Sequence, residues 1–179
     1  MLIQSPLLIY SDKEMIRVIF TVLAVFALQC SGCGDNDSGS RVERTSSHDW
    51  KTSFSESVQL SADSGKPILA FFTGSNWCGW CKVLNSKILE TPVFVEWAKE
   101  NVIMLELDFP TDYEQSQEIK DQNQQLQKMY GITGFPTIIV MDANGKPILQ
   151  LGYEDVSPDV YAAKIESAIK KSQTLLKTN

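Results

Sequence analysis

Cys78 and Cys81 are separated by two residues, in the segment WCGWCK. An apolar run precedes them and apolar residues at helical spacing follow, which places Cys78 at the start of a helix. Unpaired N–H groups and the helix dipole stabilise a thiolate there, so a cysteine pKa can fall from about 8.5 to between about 3.5 and 7.5. Cys78 is therefore predicted to attack a disulfide. Cys81, one turn further on, is predicted to attack the resulting mixed disulfide and release the reduced substrate.

The residues around this pair alternate between helical and extended patterns. Residues 68–73 (ILAFFT) are an apolar run bounded by Pro and Gly, typical of a strand that is buried on both faces at the centre of a sheet. Three further strands are predicted at 102–108, 137–141 and 147–151, and the Asn144-Gly145 turn makes the last two an antiparallel hairpin.

Five helical segments are predicted. Four of them cover residues 53–65, 78–89, 114–130 and a stretch that opens at Ser157-Pro158, and another helix restarts at Thr91-Pro92. In the 114–130 segment the inward face is predicted to be Ile119, Leu126, Met129 and Tyr130, and the Gln-rich patch 121–127 its solvated face. This order predicts an α/β fold in which a sheet of parallel and antiparallel strands has helices on both faces.

With these elements in place, the chain resembles the thioredoxin-like superfamily from about residue 48 to residue 171. Members carry W-C-x-x-C after the central strand and a cis-proline loop facing it, which Gly134-Phe135-Pro136-Thr137 matches. More closely, TGSNWCGWCK with LELDFP downstream resembles exported bacterial thioredoxin-fold proteins often labelled disulfide isomerases. The resemblance implies a thioredoxin-like fold and disulfide exchange with protein substrates, with no organic cofactor and no metal.

The resemblance also implies a substrate-binding surface around the cysteines. The residue before the cis proline offers its backbone to the substrate peptide in this family, so Phe135 is expected to pair with substrate while Pro136 holds the loop against the disulfide. Aromatic residues are favoured at interfaces. Trp77 and Trp80, with Gly79 between the cysteines, are therefore expected to line the same surface.

The chain departs from thioredoxin at two positions. Trp80 stands where thioredoxin has proline, and the central strand has Ala70-Phe71-Phe72 where thioredoxin has a buried carboxylate. Deprotonation of Cys81 must then rely on water or on another group, such as Lys82 or Glu106. Asp108, at a predicted strand end, is interpreted as a helix or turn cap without a catalytic role.

Residues 1–33 are predicted to be an export signal. The uncharged apolar run at 18–28 is shorter than the roughly 20 residues that cross a bilayer, and it fits the core of about 7 to 15 residues in a signal peptide. Met15 lies just before this run, which favours a translation start there. Cys33 and Cys30 resemble the acylated cysteine of bacterial lipoproteins and are the lipidation candidates. An ordinary cleaved signal peptide and an uncleaved anchor are the alternatives.

Residues 34–47 are predicted to be a flexible polar tether, because they lack the apolar side chains that would offset the cost of ordering. The folded domain is then residues 48–179, and His48 is interpreted as an ordinary surface residue. The chain has 16 basic and 22 acidic residues, a net charge of -6. This balance supplies no electrostatic footprint for nucleic acid, which is excluded as a partner.

The sequence therefore predicts an exported thiol–disulfide oxidoreductase of the cell envelope or periplasm, with a membrane tether at its N-terminus. Its expected partners are protein thiols and disulfides and a membrane or periplasmic electron partner. A reductase is favoured over an isomerase because no second domain that could hold a misfolded chain is evident. One alternative is a binding module in which the disulfide is structural. Another is copper or zinc handling by the thiolates, although zinc usually takes about four ligands.

Overall fold

The computed structural model describes residues 49–177. The predicted export signal, the tether, His48 and the lipidation candidates Cys30 and Cys33 lie outside the described residues. No helix within residues 49–177 is long and apolar enough to cross a membrane.

The described part of the chain forms a sheet of four strands in the order β2-β1-β3-β4. The central strand β1 pairs parallel with β2 and antiparallel with β3, and β3 pairs antiparallel with β4. All six residues of β1 are buried, as the apolar run predicts. The strand bounds are β1 (Ile68–Thr73), β2 (Ile103–Asp108), β3 (Thr137–Met141) and β4 (Pro147–Leu151).

Between residues 49 and 177, five α-helices and one π-helical turn cover the sheet. Their bounds are α1 (Phe54–Ser64), α2 (Gly79–Leu84), the π-helical turn (Asn85–Leu89), α3 (Pro92–Asn101), α4 (Gln117–Met129) and α5 (Pro158–Lys177). The π turn continues directly from α2. The predicted α/β fold, a mixed sheet with helices on both faces, is confirmed.

Local signals set several of these helix ends. The Ser53 hydroxyl accepts a hydrogen bond from the Glu56 N–H at 3.3 Å and caps α1, which ends at Gly65 with a φ of 72°. Side-chain oxygen is a preferred cap at the first position, and glycine is the residue that most readily adopts positive φ after the last. Thr91 and Ser116 cap α3 and α4 in the same way.

The two faces of the sheet carry separate cores. On one face α2, the π turn, α3 and α5 pack on Leu69, Phe71 and Met104, and this core contains both cysteines. On the other face α1 and α4 pack on a second set of strand residues: Ile68, Ala70, Phe72, Leu105 and Leu107. Side chains alternate between the two faces along a strand. Phe71 therefore lies on the face that carries the cysteines, and its neighbours in β1 lie on the other face.

The outer edge of β2 is covered by the segment that precedes α1. Lys51 N–H donates to the Met104 carbonyl at 2.9 Å, and the Glu106 N–H donates to the Lys51 carbonyl at 2.8 Å. Lys51 thus forms a parallel bridge opposite Leu105.

Two assignments on α4 are wrong. Met129 is exposed, and Asn123, which lies in the patch interpreted as solvated, is buried. The reason is that the Asn123 amide donates to the Asp108 carbonyl at 2.9 Å, so a polar residue faces the sheet. A buried polar group is stable when it is hydrogen-bonded in this way.

Candidate active site

Cys78 and Cys81 form a disulfide at the start of α2, with an S–S distance of 2.14 Å. Cys78 is the residue that caps α2, as the sequence predicts. The backbone N–H of Cys81 donates to the Cys78 sulfur at 3.2 Å. A donor aimed at this sulfur also stabilises negative charge there once the disulfide is opened.

The two sulfur-bearing side chains differ in access to solvent. Cys78 is 6% exposed and Cys81 is 1% exposed, below the first turn of the helix. A protein substrate can therefore reach Cys78 before it could reach Cys81. This asymmetry agrees with the predicted roles, in which Cys78 attacks and Cys81 resolves; those roles stay predictions.

The turn that leads from β1 into α2 is closed by its own backbone. The Gly74 carbonyl accepts the N–H groups of Trp77 at 3.2 Å and Cys78 at 2.8 Å. The indole of Trp77 lies directly over Gly74, where a Cβ would come within 2.4 Å of a ring carbon. Only glycine leaves room for this ring. Lys82 Nζ donates to the Asn76 carbonyl at 2.7 Å and ties the turn to the helix.

An aromatic rim next to the disulfide is formed by Trp77, which precedes Cys78, and Trp80, which lies between the cysteines, together with Phe109, Phe135 and Tyr153. Trp77 is 48% exposed, and its indole N–H donates to the Phe109 carbonyl at 2.7 Å. The Phe135 ring contacts both Trp77 and Phe109, with centroids 5.8 Å and 5.1 Å apart. Three elements therefore contribute to one apolar surface.

Trp80 occupies the other part of the aromatic rim. It is 63% exposed, as expected for a residue that lines a binding surface, and it stacks on Tyr153 with centroids 5.4 Å apart and planes at 25°. Tyr153 comes from the loop between β4 and α5. Gly79, between the cysteines, is also exposed and has open space around the position of a Cβ.

The loop before β3 carries the second predicted motif. The peptide bond between Phe135 and Pro136 is cis, which confirms the expectation taken from the family resemblance. The Thr137 hydroxyl donates to the Gly134 carbonyl at 2.8 Å and closes the loop. Both Phe135 and Pro136 are half-buried, and their pairing with a substrate peptide stays a prediction.

Asp108 connects the turn before Cys78 to the loop after β2. Its carboxylate is 5% exposed and accepts the Ser75 N–H at 2.8 Å, the Ser75 hydroxyl at 2.6 Å, the Phe109 N–H at 2.9 Å and the Tyr113 hydroxyl. It is a cap, as interpreted from the sequence, but one that spans two loops. Four donors on one carboxylate give it a larger structural role than the strand-end position suggests.

The position beneath Cys81 lacks a carboxylate on the central strand, as the sequence indicates. Phe71 is the β1 residue in the core that contains Cys81, while Ala70 and Phe72 lie in the opposite core. Phe71, Lys82 and Glu106 line a small pocket together with Cys81. Both groups named as substitutes for the missing carboxylate are therefore near the resolving cysteine.

Three residues of this site were not predicted as such. Phe109 and Tyr153 join the aromatic rim through loops that are distant in sequence, and Asp108 acts through tertiary hydrogen bonds. The LELDFP segment that supports the family resemblance contains both Asp108 and Phe109, so that this segment is the sequence feature that indicates them as site residues. Nothing in the local pattern around Tyr153 marks it.

Replacing Asp108 with alanine should lower the free energy of unfolding by about 3 kcal/mol, because four partly buried hydrogen bonds are lost, each with a net contribution of about 0.5 to 1.5 kcal/mol. The intrinsic fluorescence of the oxidised chain should also change. The reason is that Phe109, whose carbonyl accepts the indole N–H of Trp77, directly follows Asp108 in the chain. Urea titration monitored by fluorescence and by circular dichroism measures both effects. Asp112→Ala, on an exposed residue of the same loop, is the control. Equal stability of the two variants would contradict the role of Asp108.

Comparisons with known proteins find matches that cover most of the chain. The model of the thioredoxin-like domain family matches residues 54–169. The chain is 33% identical over 156 residues to the disulfide bond reductase DsbH of Chlamydia pneumoniae, covering 84% of this chain and 93% of the relative. It is 26% identical over 140 residues to the thioredoxin-related protein DsbJ of the same organism, covering 78% of this chain and 38% of that relative.

A solved structure described as DsbH oxidoreductase has the same fold. It is 36% identical and superimposes with a TM-score of 0.67, covering 77% of this chain and 95% of the other. The residues that the family model matches include β1, α2 and β3, and therefore the disulfide and the cis-proline loop. The chain therefore belongs to the thioredoxin-like domain family.

Proposed function

We propose that this chain is a thiol–disulfide oxidoreductase that reduces disulfides in protein substrates outside the cytoplasm. The observation that carries the proposal is the Cys78–Cys81 disulfide at the start of α2, with Cys78 the more exposed of the pair and the aromatic rim around it. The likeness to a relative named disulfide bond reductase over 84% of the chain supports the direction of the reaction.

The chemistry proceeds in two exchanges. In the reduced chain the Cys78 thiolate attacks one sulfur of the substrate disulfide, forming a mixed disulfide, and the departing substrate sulfur takes up a proton. Cys81, as a thiolate, then attacks the Cys78 sulfur. The mixed disulfide breaks, the substrate leaves as a dithiol, and two electrons have passed from the chain to the substrate. The Cys78–Cys81 disulfide is the product state.

The proposed substrates are proteins, because the disulfide lies at an open apolar surface that a large partner can approach, and not inside a closed pocket. The aromatic rim offers large side chains to an incoming peptide, and the cis-proline loop offers the backbone of Phe135. No organic cofactor or metal is part of the proposal, since the electrons move only between sulfur atoms. A membrane or periplasmic electron partner must reduce the Cys78–Cys81 disulfide again after each turnover.

The proposed location is the cell envelope. The predicted signal at residues 1–33 and the homologues named DsbH and DsbJ support export. Attachment to a membrane through a lipid on Cys33 or Cys30 is the finer proposal, and it rests on the sequence pattern alone. Mass spectrometry of the mature N-terminus tests it directly.

The equilibrium of the cysteine pair with glutathione decides the redox direction. We expect a midpoint near or below about -230 mV, which is typical of reducing members among known dithiol proteins. The full chain, kept in mild detergent, is equilibrated in glutathione buffers and followed by tryptophan fluorescence, because Trp77 and Trp80 flank the disulfide. A midpoint above about -180 mV would indicate an oxidant or isomerase instead.

Serine variants of the two cysteines should behave differently from each other. Cys78→Ser should abolish reduction of a protein disulfide, because the attacking sulfur is lost. Cys81→Ser should form a stable mixed disulfide with the substrate, because no thiol resolves it. Gel electrophoresis without reductant detects the trapped species, and the double variant C30S/C33S is the control that keeps turnover. Partner binding that persists in Cys78→Ser while the wild type shows no turnover would favour a binding module.

Trp80→Ala and Tyr153→Ala should each raise KM for a protein disulfide about tenfold, because a lost aromatic contact costs about 1.4 kcal/mol. The rate with a small disulfide such as oxidised glutathione should change little. Steady-state kinetics with both substrates measures the difference, and Val93→Ala, an exposed apolar residue on α3, is the control. A matching loss with both substrates would show that these rings act on the disulfide itself and not on protein binding.

A further inference from the structure

A small pocket of about 80 Å³ lies beneath the resolving cysteine. We propose that Glu106, which lines this pocket, accepts the proton of Cys81 when Cys81 attacks the mixed disulfide; this inference rests on the proposed function. The lining residues come from β1, the turn before α2, α2, the π turn and β2: Phe71, Thr73, Ser75, Cys81, Lys82, Asn85 and Glu106.

The burial of Cys81 creates the need for an acceptor. A thiolate, not a thiol, is the nucleophile, and apolar surroundings disfavour the thiolate. Cys81 is 1% exposed and packs against Phe71 and Leu84 in the core. Bulk water therefore has little access to its sulfur. A base that reaches the sulfur from within the pocket removes this obstacle.

Strand register places Glu106 on the side of the sheet where Cys81 lies. Glu106 is opposite Phe71 in the parallel pairing of β1 with β2. Its neighbours Leu105 and Leu107 lie in the opposite core, whereas Met104 lies in the core with the cysteines. Alternation along the strand therefore directs Glu106 toward Phe71 and Cys81. Glu106 is half-buried, so its carboxylate is next to the pocket without being sealed from water.

The neighbouring carboxylates do not line this pocket. Asp108, the next residue on the same face of β2, is outside the lining and accepts four hydrogen bonds from Ser75, Phe109 and Tyr113. Glu90, at the end of the π turn, accepts the indole N–H of Trp50 at 3.4 Å and does not line the pocket.

Two lysines lie near Glu106 among the described residues. Lys82, on α2, lines the pocket while its ammonium donates to the Asn76 carbonyl. Lys51 lies beside Glu106 through its backbone, and its ammonium pairs with Asp49 and Glu56.

The pocket is large enough for the proton to move through water. A site needs about 10 to 15 Å³ to hold one water molecule, and polar groups to bind it. Asn85 and the Ser75 hydroxyl supply such groups. In the step itself, the proton passes from Cys81 Sγ to a Glu106 carboxylate oxygen, directly or through one water. The Cys81 sulfur then bonds to Cys78 Sγ, the substrate sulfur leaves with its electron pair, and Glu106 later returns the proton to solvent or to the leaving thiolate.

Single-turnover kinetics of the reduced full chain with a disulfide protein such as insulin separates the two exchanges. Acid quenching and thiol alkylation give the rates at which the mixed disulfide forms and resolves. In Glu106→Gln we expect resolution to slow by about 10²-fold near neutral pH, the lower end of what a general base contributes, with formation unchanged. Glu106→Asp should restore most of the rate, and Glu118→Gln, an exposed carboxylate on α4, should match the wild type.

The pH dependence of the resolution rate distinguishes a proton acceptor from a residue with a purely structural role. Wild-type resolution should vary little between about pH 6 and 8, whereas in Glu106→Gln it should rise steeply with pH as the thiolate fraction rises toward the thiol pKa of about 8.5. An unchanged resolution rate in Glu106→Gln would overturn the proposal. So would equal slowing of both exchanges, or equal losses in the Gln and Asp variants, since these indicate a folding defect. A wild-type chain that forms no mixed disulfide would instead overturn the proposed function, and the role of Glu106 with it.

Discussion

The hydrogen bonds between Asp108 and Ser75 join the two loops from which the site is built. Strands β1 and β2 are parallel, so both loops leave the sheet at the same edge, where ligands of open α/β sheets commonly bind. One loop leads to Cys78 and the other carries Phe109. With the carboxylate buried between them, the position of Trp77 over Gly74 and its bond to the Phe109 carbonyl follow from the same arrangement.

The two cysteines of the disulfide differ in exposure because the disulfide lies between these two loops and the core. Cys78 ends the turn at the cap of α2 and keeps slight exposure, whereas Cys81 enters α2 and is almost fully buried; both belong to the core on this face. A single helical turn thus separates the more exposed cysteine from the one that is almost fully buried. Burial disfavours the thiolate form of a cysteine, which is why the proposed proton acceptor in the pocket on the β2 side matters.

Much of this arrangement could be predicted from the sequence, and the failures have a common physical origin. The buried run of β1, the helix start at Cys78 and the cis-proline loop are set by short stretches of chain. Met129 and Asn123 were misassigned because α4 is so polar that its inward face depends on a hydrogen bond to the Asp108 carbonyl, which periodicity does not reveal. Tyr153 joins Trp80 only after β4 and α5 have packed, so no local pattern could identify it.

The edges of the sheet have a consequence for how the chain meets unfolded proteins. Lys51 occupies the outward backbone groups of Met104 and Glu106 on β2, while β4 begins with Pro147 opposite an irregularity at Val140 and Met141. Edge strands with free backbone groups recruit other extended chains, and proline, bulges and covering segments suppress such pairing. Blocking of the β2 edge by Lys51 limits such pairing there, so that an extended chain near this protein is not recruited as a further strand along β2.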